Sequence, residues 1–238
     1  MYLTIIAMKQ IIHENQCKEC NEKSCAVSVL DDEELDLISK NSSQVKFQKN
    51  EMIFKQNSPS SHIIFVKNGI VKEHMTGPHK KEQILKIVKG PAFLRISSKL
   101  KYNINSYSAT AIIDSVICFI DINVFKELLY HNSKFSYEIL ISVCEDGLYC
   151  FNKFLNQTQK QVHGRLAEAI LYFSNHIYKD KDFILPVSKS ELADLIGSTR
   201  ESVTRALFTF KREDIIGING KTVELKNKKK LEQISRNG

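Results

Sequence analysis

No stretch of this chain approaches the ~20 consecutive apolar residues that a membrane-crossing helix requires. The mildly apolar first eight residues give way to Lys9 and Gln10 with no cleavage pattern, which argues against a secretory leader. Also missing are a G-x-S-x-G elbow, a phosphate-binding P-loop and an H-E-x-x-H zinc helix, so the commonest hydrolytic and nucleotide-hydrolysing chemistries have no motif to stand on. There is no internal repeat, and no low-complexity segment beyond a lysine-rich end. Together these absences predict a cytoplasmic protein without membrane contact. In that compartment its six cysteines are thiols, metal ligands or redox sensors, not structural disulfides.

What is present is ample for a core: 238 residues, 42% hydrophobic, enough for one or two domains. The net charge is +7, and the segment 186–238 supplies +4 of it, with 11 Lys and Arg against 7 Asp and Glu. A basic segment favours phosphate contact through counterion release. The run Lys226, Lys228, Lys229 and Lys230 reads equally as phosphate contacts or as a solvated, frayed tail.

The richest stretch is 188–225. Ser188 with Glu191, and Ser198 with Glu201, each spell S-x-x-E, in which side chains satisfy the free N–H groups of a first helical turn. The first helix carries Leu192, Ala193 and Ile196 and ends at Gly197. The second buries Val203, Ala206, Leu207 and Phe210 at helical spacing. Its opposite face bears Arg200, Glu201, Thr204 and Arg205, side chains suited to reading bases: arginine donates twice to guanine, and glutamate accepts from cytosine. The bland alternative is a surface ion pair between Glu201 and Arg205. Ile215 to Leu225 alternates around Asn219-Gly220, which predicts a type I′ hairpin. Two capped helices across a glycine turn, then a hairpin, outline a winged helix-turn-helix, with Ser188, Ser198, Arg200, Glu201, Thr204 and Arg205 as the DNA-contacting set.

Upstream, short strands recur between Leu35 and Ile122, predicting an antiparallel barrel or sandwich. From Asn123 the period becomes helical. Leu140, Val143, Gly147, Cys150 and Phe154 follow one another at 3, 4, 3 and 4 residues, an a/d seam that predicts a dimerisation helix or, failing that, an internal bundle helix. A further helix is expected over 161–178. The domains expected are a cysteine-bearing segment 1–30, a sensory barrel 31–122, a dimer-helix region 123–158 and a DNA-binding domain 159–238.

HIIFVKNGIVK (62–72), ATAIIDSVICFIDINVFKELL (109–129) and LADLIGSTRESVTRAL (192–207), in this order, resemble the CRP/FNR family of bacterial transcription regulators over nearly the whole chain. The resemblance implies an α+β fold: a cyclic-nucleotide-binding-like jelly roll of cupin type, a long dimer helix and a winged helix-turn-helix. It implies homodimers on palindromic double-stranded operators that recruit or block RNA polymerase. It also aligns Arg200, Glu201 and Arg205 with the base-contacting positions, as in the CRP branch, and implies a half-site with a core such as TGA.

Two sensing chemistries recur in that family. Its cyclic AMP binders use a Gly-Glu and an Arg-Ser or Arg-Thr pair. Here Pro91 stands in place of the glutamate and Asn105-Ser106 in place of Arg-Ser, with Arg95 nearby but out of register, which argues against cyclic AMP. The FNR branch uses a [4Fe–4S] cluster on three N-terminal cysteines and one barrel cysteine. By resemblance Cys17, Cys20, Cys25 and Cys118 are its ligands, although four residues, not five, separate the second and third. Zinc on the clustered cysteines with a histidine such as His13, a reversible disulfide, or no metal and a small organic ligand in the barrel remain alternatives. Cys144 and Cys150 read as small buried hydrophobes. A thiol oxidoreductase built on Cys17 and Cys20 lacks the βαβ context that such a motif needs.

Overall fold

Strands begin where β-branched and aromatic residues alternate with polar ones. The computed structural model describes residues 11–12, 17–18, 20, 22–94, 96, 100 and 104–238, with the side chains of 11, 12 and 79 excepted. His13 and Arg95 lie outside the described residues. The strands are β1 (Ile11–Ile12), β2 (Ser42–Phe47), β3 (Met52–Phe54), β4 (His62–Asn68), β5 (Ile70–Thr76), β6 (Glu82–Lys89), β7 (Ala92–Phe93), β8 (Ser108–Ala111) and β9 (Ser115–Asp121). They form two sheets, ordered β1-β2-β9-β4-β7 and β3-β8-β5-β6. This is the expected antiparallel jelly roll, with the long apolar stretch 109–121 divided into two strands.

The chain forms two compact units, Met1–Met75 with Ile87–Leu148, and Thr76–Lys86 with Tyr149–Gly238. In unit 1 the jelly roll is closed by a short helix Cys25–Ser28, a helix Asp32–Lys40 and a helix Ile122–His131. Asp31 opens the second of these with a capping box to Glu34. A run of rings, Phe65–Phe93–Phe125–Phe135, with successive centroids 4.9, 5.5 and 5.3 Å apart, ties β4 and β7 to the helices behind them. Gly69 turns β4 into β5 at φ +111°, and a Cβ there would lie 2.1 Å from Ser115 Oγ, so only glycine fits.

The long helix spans Ser133–Gln159. The helix Val162–Tyr172 follows and continues as one wide π-helical turn, Phe173–Tyr178, to a left-handed stop at Lys179. Unit 2 is completed by β10 (Asp182–Ile184), helix Lys189–Ile196, helix Arg200–Arg212, β11 (Ile216–Asn219), β12 (Thr222–Leu225) and helix Lys228–Asn237. Its three-stranded sheet is ordered β10-β12-β11. Leu166, Phe173, Leu192, Val203, Phe210, Ile216 and Leu231 are all buried in its core. Among the described residues no helix is long and apolar enough to cross a membrane.

Of the two readings of the lysine-rich end, the frayed tail does not hold: it is a capped helix. Asn227 accepts from the Lys230 backbone N–H, and Leu231 anchors the helix in the core. Sparse apolar residues among lysines hide this helix from periodicity, yet one fully buried leucine suffices to seat it.

Candidate nucleic-acid interface and cysteine pocket

The helix Lys189–Ile196 starts at Ser188, whose hydroxyl accepts from the Glu191 N–H while the Glu191 carboxylate accepts from the Ser188 N–H. Gly197 ends it at φ +64°, and the chain re-enters helix three residues later. The second helix does not start at Ser198 as expected. Thr199 is its cap, accepting from the Ser202 N–H at 3.2 Å. Ser198 and Thr199 cap equally well as side chains, and the left-handed turn at Gly197 decides between them.

Val203, Ala206, Leu207 and Phe210 face inward. Arg200, Glu201, Thr204 and Arg205 are all exposed on the opposite side. The structure therefore gathers four of the expected DNA-contacting residues on one face, with Ser188 exposed and Ser198 half-buried at the turns before them. Among the described residues no ion pair joins Glu201 to Arg205. Instead the Arg205 guanidinium donates to Ser202 Oγ at 3.2 Å, and Ser202 Oγ accepts from the Thr199 hydroxyl at 3.1 Å. Ser202 thus links the cap to the arginine, a role that sequence reasoning missed, although T-x-x-S is itself a capping pattern.

The hairpin behind this helix pairs Asn219 with Thr222, so its two loop residues are Gly220 and Lys221, not Asn219 and Gly220. Of the two only Gly220 has positive φ, the sign pattern of a type II′ turn, not type I′. Of the four lysines beyond it, Lys226 pairs with Asp214 at 2.6 Å and Lys230 with Glu213 at 3.0 Å. Lys228 donates to Asn175 Oδ1. Those pairs lift the Lys226 ammonium above its usual range and hold the Glu213 carboxyl below its own. Lys229 is the exposed lysine of the run that carries no such bond.

On the long helix, Leu140 and Phe154 of the expected seam are exposed, 56% and 69%. Val143, Gly147 and Cys150 are half-buried, and Val143 packs against the core of unit 1. A further exposed stripe runs along the neighbouring register: Tyr137, Ile141, Cys144, Leu148, Phe151 and Leu155, at spacings 4, 3, 4, 3 and 4. Cys144 is therefore an exposed residue and not a buried hydrophobe.

In unit 1, Cys118 sits in β9 between Gln44 of β2 and Phe65 of β4. The segment carrying Cys17 and Cys20 lies over it: Cys17 packs against the same apolar cluster, and its backbone N–H donates to Ser39 Oγ at 3.0 Å. Cys20 Sγ donates to the Glu22 carbonyl. Cys17, Cys20 and Cys118 feel one another electrostatically, together with the Lys67 ammonium, which donates to Gln44 Oε1 at 3.2 Å. Burial is the main force on the Cys17 and Cys118 thiols. It raises Cys17 and pushes Cys118 up to about 12, so both are protonated in the metal-free chain. Cys25 opens the next helix and is exposed. Among the described residues no group of three or more His, Cys, Asp or Glu stands ready to hold a metal ion. Cys17 and Cys118 thus share one apolar cluster and Cys20 acts on both electrostatically, while Cys25 is exposed; in this arrangement the four expected ligands do not form a four-thiolate set.

In the barrel, Asn105 is buried, and its amide donates to Ser58 Oγ at 2.9 Å, pinning the turn before β4.

Comparison with known proteins agrees with this layout. Residues 44–132 match the cyclic nucleotide-binding domain family and residues 164–234 match the Crp-like helix-turn-helix domain family. The chain is 23% identical over 227 residues to "Electron transport regulator A" of Shewanella oneidensis, spanning 93% of this chain and 90% of that protein. It is 21% identical to the "Fumarate and nitrate reduction regulatory protein" of Yersinia pestis over the same shares. Among solved structures, FixK2 of Bradyrhizobium japonicum superposes with a TM-score of 0.75 at 18% identity, covering 81% of this chain and 96% of that one. A CooA mutant from Carboxydothermus hydrogenoformans gives 0.72 at 20% identity, covering 92% and 99%.

Proposed function

Because the chain belongs to the CRP/FNR family of DNA-binding transcription regulators, we propose that it acts in the cytoplasm as a homodimer on a palindromic operator, gated at its cysteine pocket. The observation that carries the DNA reading is the exposed quartet Arg200, Glu201, Thr204 and Arg205 on a helix whose other side is buried. Arg200 stands at the helix N-terminus, where the backbone N–H groups and the arginine present positive charge to a phosphate-rich groove. Arg205, oriented by Ser202, is the side chain for a guanine edge, and Glu201 for a cytosine amino group.

A single recognition helix spans one half-site, so a palindrome requires two chains. The apolar stripe Tyr137 to Leu155 supports pairing of two long helices: Leu148 is 62% and Phe151 72% exposed, far more apolar surface than a lone helix face carries without a partner. Sedimentation at micromolar protein checks this. A dimer that Phe151→Glu converts to monomer supports the seam, and a wild-type monomer that still binds a palindrome cooperatively goes against it. The output of such a dimer is recruitment or occlusion of RNA polymerase.

For the gate, the neighbourhood shared by Cys17, Cys20 and Cys118 supports a thiol-based sensor joining the N-terminal segment to the barrel. Its iron–sulfur form additionally requires Cys25 to turn inward as the fourth thiolate. Iron and acid-labile sulfide in protein prepared without oxygen separate the two forms. About four of each per chain, lost in air, supports the cluster. Iron-free protein whose operator affinity changes on thiol oxidation supports the thiol switch. Operator affinity indifferent to Cys118→Ala without oxygen contradicts the cluster, and affinity indifferent to it after thiol oxidation contradicts the switch.

A further inference from the structure

The helix Arg200–Arg212 carries an exposed aromatic ring outside the quartet already described. Phe208 is 64% exposed, while Leu207 and Phe210 beside it in sequence are buried. Glu201, Thr204, Arg205 and Phe208 stand at i, i+3, i+4 and i+7, a single face of the helix. A lone exposed hydrophobe is ordinary on a protein surface. This one is set apart by its surroundings. The residues three and four positions away are Thr204, Arg205, Lys211 and Arg212, all exposed and three of them cationic.

Two of these neighbours are held by the protein itself. Lys211 donates to the Ile218 carbonyl of the wing at 3.3 Å. Thr204 donates its hydroxyl to the Arg200 carbonyl at 2.8 Å, so the hydroxyl is held against the helix backbone and the methyl is the part left to meet DNA. The Thr204 methyl and the Phe208 ring, one turn apart, make an apolar strip beside Arg205. In the major groove every base edge offers hydrogen-bond donors or acceptors, and thymine alone adds an apolar group, its 5-methyl. The surrounding cations favour phosphates on either side of that methyl. An apolar protein surface is the poorer match, because it would strip the same cations of water.

We propose that Phe208, with the Thr204 methyl, reads the 5-methyl group of a thymine in each half-site. The proposal rests on the reading of the helix Arg200–Arg212 as the DNA reader, and adds to it a residue that sets specificity by apolar contact. Phe208 follows Arg205 by about 4.5 Å along the helix axis, so the thymine lies within about two base pairs of the guanine that Arg205 contacts. Phe208 forms no hydrogen bond with a base, so it separates thymine from uracil, which differ by that methyl alone.

The test uses the full chain and the duplex that it selects from randomised DNA, with thymine replaced by deoxyuridine at one symmetric pair of positions at a time. Deoxyuridine keeps every hydrogen-bonding group of the base and lacks only the methyl. The expected result is one symmetric pair at which the replacement weakens wild type by about fifteenfold, about fourfold for each half-site, and leaves Phe208→Ala unchanged. Uracil tolerated at every position overturns the proposal. So does equal sensitivity in wild type and Phe208→Ala. Phe208→Ala that binds the all-thymine duplex as tightly as wild type also overturns it, and leaves the ring to a protein partner. Arg205→Ala on single-base variants of the same duplex tests the underlying reading separately. If it loses preference at one symmetric pair while uracil is silent, only the thymine contact falls. If it keeps every preference, the helix is not the DNA reader and both fall.

Discussion

Arg205 shows how much of a contact surface is set by one small neighbour. Ser202 Oγ accepts from the Arg205 guanidinium and from the Thr199 hydroxyl, so the helix cap and the side chain proposed to read a base share one bond network. Arg205→Ala is expected to remove base preference at one position of each half-site, at about 1–3 kcal/mol, whereas Lys229→Ala weakens all sequences alike; competition binding against single-base operator variants checks both. The residue types of this face were legible in the sequence, because an amphipathic period assigns each position to core or surface. The cap was not, since Ser198 and Thr199 have the same chemistry and only the backbone at Gly197 separates them. The cysteines show the opposite limit: C-x2-C next to a barrel cysteine predicts proximity, but which thiols converge depends on how a short polar segment drapes over β9. Cys118 gives a pH signature in the metal-free chain. Below about pH 9 the thiol is protonated whether folded or not. Between about 9 and 12 the unfolded chain releases a proton that the folded one retains, so stability falls as pH rises. Denaturant midpoints should therefore drop across that window more in wild type than in Cys118→Ala.

At the scale of elements, the turn at Gly197 and the stripe on the long helix are the two features on which the proposed DNA-reading surface and its pairing depend. Gly197→Ala forces a Cβ into a left-handed residue and against Gln157, and a loss of about 1 kcal/mol or more in thermal or denaturant unfolding is expected. Leu231→Ala, in the helix Lys228–Asn237, is expected to cost about 2–5 kcal/mol, because this leucine is fully buried. A change below about 0.5 kcal/mol would mean that the terminal helix does not hold unit 2 together. Heptad spacing found the long helix, and of the seam it marked Leu140 and Phe154 are exposed while Val143, Gly147 and Cys150 are half-buried. Val143 faces the core of unit 1 because the cluster around Phe135 and Ile139 needs it there, and that demand is invisible to a pattern read along one helix. The wing was legible for a local reason, asparagine and glycine between alternating apolar residues. Its turn type was not, because strand register placed the loop one residue later.

For the whole molecule, the order of a jelly roll, a long helix and a winged helix-turn-helix was legible because each part has its own period in the sequence, and the family models match the first and the third of these. The central claim is that two chains read a two-fold symmetric site through the face of the helix Arg200–Arg212. The most direct measurement is selection of bound sequences from randomised DNA, carried out in parallel with wild type and Arg205→Ala. The account predicts an inverted repeat with half-sites about one helical turn apart, and loss of preference at one symmetric pair of positions in the variant. Enriched sequences without two-fold symmetry, or the same preferences in both proteins, would contradict it.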